Sequence, residues 1–332
     1  MPKMTLDAIE ALARRTLERA GASARQAASV ARSTRLAERD GVRSHGLLYV
    51  PIYAEHIVCQ KVDGTAEPAV ERPRPGLVRV DAAHGFAHAA IDAGFDGFTE
   101  AARANGIAAM TVHRSYNCGV LGHHAERIAE AGLVGLCFTN APASIAPAGG
   151  SVPVIGTNPY ALSVPGADGT VFTIDQSAST IAKSEIMLRA REGEAIEEGW
   201  ALDAHGHPTT DAQAALKGSM VPSGGAKGFN TGLMVEVFAA ALAGATLGRD
   251  AAPFSGTAGG PPATGQCFLA IDPDPASGGL FAQRLTRLSA LASEQEGTRL
   301  PGARRRAARE RSGDGVDVPQ DLIDRIEAAG RS

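Results

Sequence analysis

An α/β fold is predicted by three features of this 332-residue sequence. Apolar residues at helical spacing fill the first sixty positions, and short β-branched runs then alternate with amphipathic helical segments from residue 76 onward. The composition, 44% hydrophobic and 20% charged, suits one large core or two or three smaller ones.

Leu6, Ile9, Leu12, Ala13 and Leu17 mark the first helix, and Gly21 suits its end. Ser23 followed by Gln26 fits a capping box for a second helix that runs to Asp40, with Gly41 as its stop. A third helix is expected over about 47–58, and the stretch 63–75, rich in Pro, Glu and Arg, reads as a boundary loop. Next come a strand at 77–80, a helix to 105, a strand at 107–112, a helix to 131 and a strand at 134–139. Such alternation predicts adjacent, largely parallel strands. After a Pro- and Gly-rich bend at 142–156, strands are expected at 160–164 and 171–174, then a helix over about 180–191. Residues 193–227 are polar and lead into the apolar run 233–247, which reads as the most buried helix of the chain. A strand at 267–271, a helix at 280–294, a basic tail and a short helix after Pro319 complete the chain, without internal repeats.

A formal net charge of -4 offers no overall attraction to nucleic acid or anionic lipid, so the expected partners are small molecules. Lys3, Asp7, Glu10 and Arg14 break up any secretory signal, and the run 233–248 is interrupted by Glu236 and too short to span a bilayer. Cys59, Cys118, Cys137 and Cys267 form no Cys-x-x-Cys pair and read as reduced thiols of a cytoplasmic protein. There is no Gly-x-Gly-x-x-Gly after a strand, no Walker loop, no Gly-x-Ser-x-Gly and no His-Glu-x-x-His. His123 and His124, being adjacent, point to different faces of a helix, so no metal site is expected.

The candidate chemistry centres on Asp40-Gly41-Val42-Arg43-Ser44-His45-Gly46. It places an imidazole, able to exchange a proton near neutral pH, between a hydroxyl and a glycine just beyond a helix end. Gly156-Thr157-Asn158-Pro159 exposes backbone donors and short polar side chains where strands end, which suits an anion or amide as well as a plain structural bend. Lys227, between glycines at the start of a helix, suits a phosphate and equally fits a plain solvated lysine. Asp175 follows a strand, where α/β proteins place functional groups, and also fits a helix cap.

Ser44-His45-Gly46, Ala141-Pro142-Ala143 through Gly149-Gly150, Gly156-Thr157-Asn158-Pro159, Asp175 to Ser179, Gly199 to Asp203, Pro208 to Asp211, Gly225-Ala226-Lys227-Gly228 and Leu300-Pro301-Gly302 occur in order over nearly the whole chain. Together they resemble the malate/L-lactate dehydrogenase-like oxidoreductases, a family that includes sulfolactate and ureidoglycolate dehydrogenases and the piperideine/pyrroline-2-carboxylate reductases. The resemblance implies a cytoplasmic homodimer that uses NAD or NADP on a non-Rossmann fold. That fold has a mixed sheet and a helical domain formed by both chain ends. It divides the chain into 1–75 plus 280–332 (helical, dimerising), 76–155 (substrate side) and 156–279 (cofactor binding).

By the same resemblance His45 is the general acid, assisted by Ser44, and Asp175, from its place after a strand, is the next candidate catalytic group. Ile174, Gln176, Ser177, Ala178, Ser179 and Thr180 match segments that hold the cofactor, as do Lys227, Gly228, Gly302, Ala303 and Arg304. Asn140 matches a position near the nicotinamide, and Thr157 and Asn158 match positions near the substrate. Two departures stand out. Tyr49 replaces an arginine suited to a carboxylate, and Asn117 replaces a histidine in a Ser-x-His-x-Gly pattern; both are expected to line the substrate pocket. Dicarboxylates are therefore expected to be poor substrates unless Arg43 or another arginine substitutes. The leading reading is hydride transfer on a small 2-hydroxy/2-oxo acid, the alternative is reduction of a cyclic imine-2-carboxylate, and a third reading is a cofactor-binding homologue without turnover.

Overall fold

The structure, a computed structural model, describes residues 1–166 and 169–330. At the chain start β1 (Lys3–Met4) precedes α1 (Leu6–Arg19) and α2 (Ala24–Arg39), whose first turns are capped by the side chains of Thr5 and Ser23. Gln26 does not close a capping box. Its amide instead donates to the Ala66 carbonyl and accepts from the Phe86 N–H, tying α2 to the body of the protein. The third helix is split: a 3₁₀ turn, Leu47–Tyr49, comes before α3 (Val50–Val58). Pro51 has no N–H to return to the Leu47 carbonyl, so an α-helix cannot begin at 47.

β2 (Ala69–Arg74) occupies the expected boundary loop. All six residues are exposed, and an edge strand open on both faces leaves no alternation to read. The chain continues through β3 (Leu77–Asp81), α4 (Ala87–Asn105), β4 (Ile107–Ser115), α5 (Leu121–Glu130), β5 (Val134–Thr139), β6 (Tyr160–Gly166) and β7 (Gly169–Gln176). Then come α6 (Lys183–Glu192), β8 (Ala201–Leu202), β9 (Pro208–Thr209), α7 (Ala212–Lys217), β10 (Ser219–Met220) and α8 (Ala226–Glu236). The last part holds β11 (Thr264–Ile271), α9 (Pro273–Ser277), α10 (Phe281–Ser293), α11 (Ala303–Arg311), β12 (Val316–Asp317) and α12 (Gln320–Ala328).

The main sheet has the order β2-β3-β4-β11-β5-β6-β7. It is mixed rather than largely parallel: β3 and β4 pair in parallel, and the other neighbours are antiparallel. The cause is β11, which comes from far along the chain and inserts between β4 and β5, two strands that the α5 crossover would otherwise have made neighbours. The sheet also runs on across residue 156, since β5 and β6 are hydrogen-bonded, so the segments 76–155 and 156–279 share one sheet.

One face of the sheet packs against α4 and α5 through Val78, Val80, Phe95, Phe98, Met110, Ile128 and Phe268. The other face meets α8 and a following π turn, Val237–Ala241, through Phe138, Val235, Ala239 and Cys267. The run 233–247 is therefore not the most buried helix. It is apolar on two sides and packs one of them, leaving Leu233, Met234, Val237 and Leu242 exposed. The chain ends pack together: β1 pairs with β12, and Ile9 and Leu12 meet Leu322 and Ile326. Among the described residues no helix is long and apolar enough to cross a membrane.

Candidate active site

His45 sits in a 3₁₀ turn, Arg43–His45, that leaves α2 at Gly41, where φ is +72°. The turn is held by the buried Glu38 carboxylate, which accepts from the Leu47 N–H at 2.7 Å. A Cβ on Gly46 would lie 2.1 Å from Glu38 Oε1, so the glycine serves this close approach of Glu38. Burial pushes the Glu38 carboxyl above its usual range. The Ser44 Oγ lies 3.1 Å from His45 Nδ1, which fixes the orientation of the ring and leaves Nε2 for a substrate. Burial lowers the His45 proton affinity below that of a free histidine, Asp175 opposes this, and His123 and Arg305 lower it further. Arg43 is exposed.

Asp175 is the penultimate residue of β7, beside the first turn of α5. Its Oδ2 accepts from the Gly122 N–H at 3.0 Å and from the Arg305 guanidinium. It thus caps α5 from another strand, not the helix that follows it in sequence. Gly122 allows this contact, because a Cβ there would stand 2.6 Å from the carboxylate. Arg305 belongs to α11, whose Arg309 four residues later reaches the buried Asp40 and Glu126. His123 Nε2 meets the same Asp40 at 3.0 Å, whereas His124 Nε2 donates to the Cys118 carbonyl at 2.9 Å.

Tyr49 and Asn117 come together through Tyr53. The Tyr49 ring lies nearly parallel to His45, with centroids 6.4 Å apart, and 4.8 Å from the Tyr53 ring. The Tyr53 hydroxyl donates to Asn117 Oδ1 at 2.9 Å, and the Gly119 N–H donates to the same oxygen at 3.2 Å. The Tyr49 ring, backed by Tyr53 and through it Asn117, rather than a guanidinium, therefore flanks the imidazole.

Asn140 and Asn158 are buried, and their side chains are committed within the protein. Asn140 donates to the Thr246 carbonyl and to Glu236 Oε1, and accepts from the Gly265 N–H. Asn158, at φ +40°, donates to Glu236 Oε2 and the Gly232 carbonyl and accepts from the Ala141 N–H. Both side chains converge on Glu236 of α8 and brace the bend, which leaves no free amide for a ligand. Thr157 is half-buried, and its carbonyl accepts from the Ala178 N–H, joining this bend to the segment after β7.

Gln176, Ser177, Ala178, Ser179 and Thr180 line a cleft of about 460 Å³ together with Lys227 and Gly228. Lys227 is exposed in the first turn of α8 and has no ion-pair partner among the described residues. Hydroxyls, an ammonium and the N-terminal end of a helix form a donor set that fits the phosphates of a dinucleotide. Ile174 lies inside β7, away from the cleft lining. Gly302, Ala303 and Arg304 do not line it either; Gly302 rests on Thr173, and Arg304 is exposed.

The sequence model described as malate/L-lactate dehydrogenase matches residues 4–327. The chain belongs to that family. It is an NAD(P)-dependent oxidoreductase. The chain is 41% identical to a Delta(1)-pyrroline-2-carboxylate reductase of Ancylobacter novellus, over 99% of this chain and 97% of that protein. It is also 41% identical to a (2R)-3-sulfolactate dehydrogenase (NADP(+)) of Chromohalobacter salexigens, over 98% of this chain and 97% of that protein. A crystal structure of delta1-piperideine-2-carboxylate reductase from Pseudomonas syringae superposes with a TM-score of 0.94 at 34% identity, over 99% of this chain and all of that one.

In this family member, Arg305, Arg309 and Tyr53 escaped the reading of the sequence. The two arginines lie in a basic tail where every charge looks alike. Their i, i+4 spacing on one helical face is the signal that sets them apart from Arg304 and Arg311.

Proposed function

We propose that this enzyme reduces a small cyclic imine-2-carboxylate with NAD(P)H. The observation that carries the reading is the Tyr49 ring beside His45, backed by the buried Tyr53, which offers an apolar face to a ring in place of a guanidinium. The two reductases of cyclic imine carboxylates among the relatives described above support it. The cofactor, held along Ser177 to Thr180 and Lys227, supplies a hydride. In the balanced reaction the hydride adds two electrons to the ring carbon, the C=N double bond becomes single, and the nitrogen takes a proton. His45 Nε2 delivers that proton and is recharged from solvent; Ser44 holds the ring, and Asp175 supports the imidazolium. Arg305 and the Gly122 N–H hold Asp175 in place.

A second reading, reduction of a 2-oxo acid with the proton passing to oxygen, is favoured by the 41% identity to a sulfolactate dehydrogenase. Purified protein with NADH and NADPH should be assayed against cyclic imino acids and 2-oxo acids. Faster cofactor oxidation with an imine than with any 2-oxo acid is expected; the reverse order would select the second reading. Tight cofactor binding with no turnover on either class would favour a binding protein. We also propose a homodimer, supported by the exposed Leu233, Met234, Val237 and Leu242 on α8 and the turn after it.

The proton assignment sets a pH dependence. Reduction needs the charged imidazole, and burial lowers its proton affinity below the ordinary value of about 6.5. Reductive kcat/KM is therefore expected to fall as pH rises through a value below about 6.5, and the oxidative rate to rise through the same value. Asp175→Asn should move both limbs to lower pH, because it removes the charge that favours the imidazolium. Limbs that stay in place would show that Asp175 does not act on His45.

A further inference from the structure

The loop between α8 and β11 is held at its neck. There the Thr246 N–H donates to the Ala263 carbonyl at 3.1 Å, and the Gly248 N–H to Glu236 Oε1 at 2.6 Å. Beyond that neck, among the described residues, 252–262 are hydrogen-bonded to a single side chain, that of Lys61. Its Nζ donates to the carbonyls of Pro253 at 2.7 Å, Ser255 at 3.3 Å and Gly256 at 2.8 Å. An ammonium has three N–H groups and no acceptor, so three carbonyls satisfy it fully. Lys61 is 0% exposed and forms no salt bridge among the described residues, although a buried charge ordinarily needs a partner of opposite sign. The carbonyls take the part that they take around a desolvated potassium ion. The backbone is shaped for this: Gln60, just past the end of α3, stands at φ +60°, a region that disfavours any residue with a Cβ, and Lys61 follows into the interior.

Phe254 stands between two of the clamped carbonyls. Its ring lies 5.3 Å from that of Tyr116, which is 1% exposed, and Tyr116 lies 6.0 Å from Tyr53, the ring behind Tyr49. The position of the loop thus decides whether the back of the aromatic cluster is covered. Pro253, Ser255 and Gly256 are exposed on their outer side, so their carbonyls can turn to water once the ammonium is gone. One ring and one cation then hold eleven residues in place, and the cation is the part that hydration can replace.

We infer that Lys61 is a positioning residue that serves as a built-in monovalent cation, clamping the carbonyls of Pro253, Ser255 and Gly256 so that Phe254 stays packed behind the substrate wall. This rests on the reading of the Tyr49 ring as that wall. A wall that loses its backing binds the substrate less well without changing the proton donor, so the effect falls on KM more than on kcat.

The test uses Lys61→Ala, Phe254→Ala and the double variant, with kinetics on a cyclic imine-2-carboxylate. Each single variant is expected to lose about tenfold in kcat/KM, mostly through KM, with cofactor affinity near wild type, and the double variant no more than either one. The n-propylammonium ion replaces the three carbons and the ammonium that Lys61→Ala removes. It should restore most of the loss in that variant and none in Phe254→Ala, with wild type in the same salt and tetramethylammonium, which has no N–H, as controls. Wild-type kinetics in Lys61→Ala, a loss that propylammonium does not restore, or losses that multiply in the double variant would overturn the inference. Should Lys61→Ala fail to fold, Phe254→Ala decides, because normal kinetics there would leave the lysine nothing to position. The imine reading fails separately, when wild type prefers the 2-oxo acid; the same variants and salts are then measured on that substrate.

Discussion

Replacing His45 with Asn is expected to lower turnover by roughly 10²- to 10⁴-fold while leaving cofactor affinity close to wild type. The loss falls on the chemical step because the imidazole is the group beside the substrate wall that can both hold and release a proton near neutral pH. Asparagine can keep a hydrogen bond to Ser44, so the turn from 43 to 45, fixed by Glu38 and the Leu47 N–H, should survive. In the proposed assignment cofactor affinity is set elsewhere, along the cleft that contains Ser177 and Lys227. The measurement is single-turnover reduction alongside a cofactor titration. Asp175 is a poor substitute donor, since one of its oxygens already accepts from Arg305 and the Gly122 N–H. Near-normal turnover across pH would therefore remove His45 from the mechanism, and Asp175 would not easily fill the gap.

The sequence showed the parts of this protein that are local. The strands at 77–81, 107–115 and 134–139 announce themselves by β-branched runs, and the Ser23 cap stands where a short polar side chain meets a helix start. Pairing was less legible, because nothing in 264–271 says that this strand will separate β4 from β5. The same limit applies at the candidate site. Ser44 and His45 are adjacent in sequence, so their contact could be anticipated. Asp175 reaches them across 130 residues of sequence, and its partner Arg305 across a further 130. Asn140 and Asn158 show the opposite failure. The family resemblance, and for Asn158 the turn around it, suggested a ligand, yet the side chains of both bind Glu236 of α8, a charge buried in an apolar run. A carboxylate in such a place needs partners, and that need was readable from Glu236 even though the identity of its partners was not.

Replacing Arg309 with Met is expected to cost about 3 to 5 kcal/mol of stability at neutral pH, and to reduce turnover although no substrate touches the residue. The Asp40 side chain is 0% exposed and accepts from Arg309 at 2.8 and 2.6 Å, from Arg39 at 2.7 Å and from His123 at 3.0 Å. Burial alone would raise the Asp40 carboxyl, but the hydrogen bonds from Arg309, His123 and Arg39 outweigh it and hold the group well below the usual carboxylate range. Its folded-state affinity for a proton is thus depressed, so its contribution to stability is full above about pH 4 and declines as pH falls below that. The gap between wild type and variant, measured by denaturant unfolding, should be widest near pH 7 and narrow in acid. Turnover should suffer because Arg309 and Arg305 share α11. Loosening one anchor frees the other from Asp175, and with it the charge that supports the His45 imidazolium. A variant that loses less than about 1 kcal/mol, or whose deficit is the same at every pH, would mean that Arg39 and His123 satisfy Asp40 unaided.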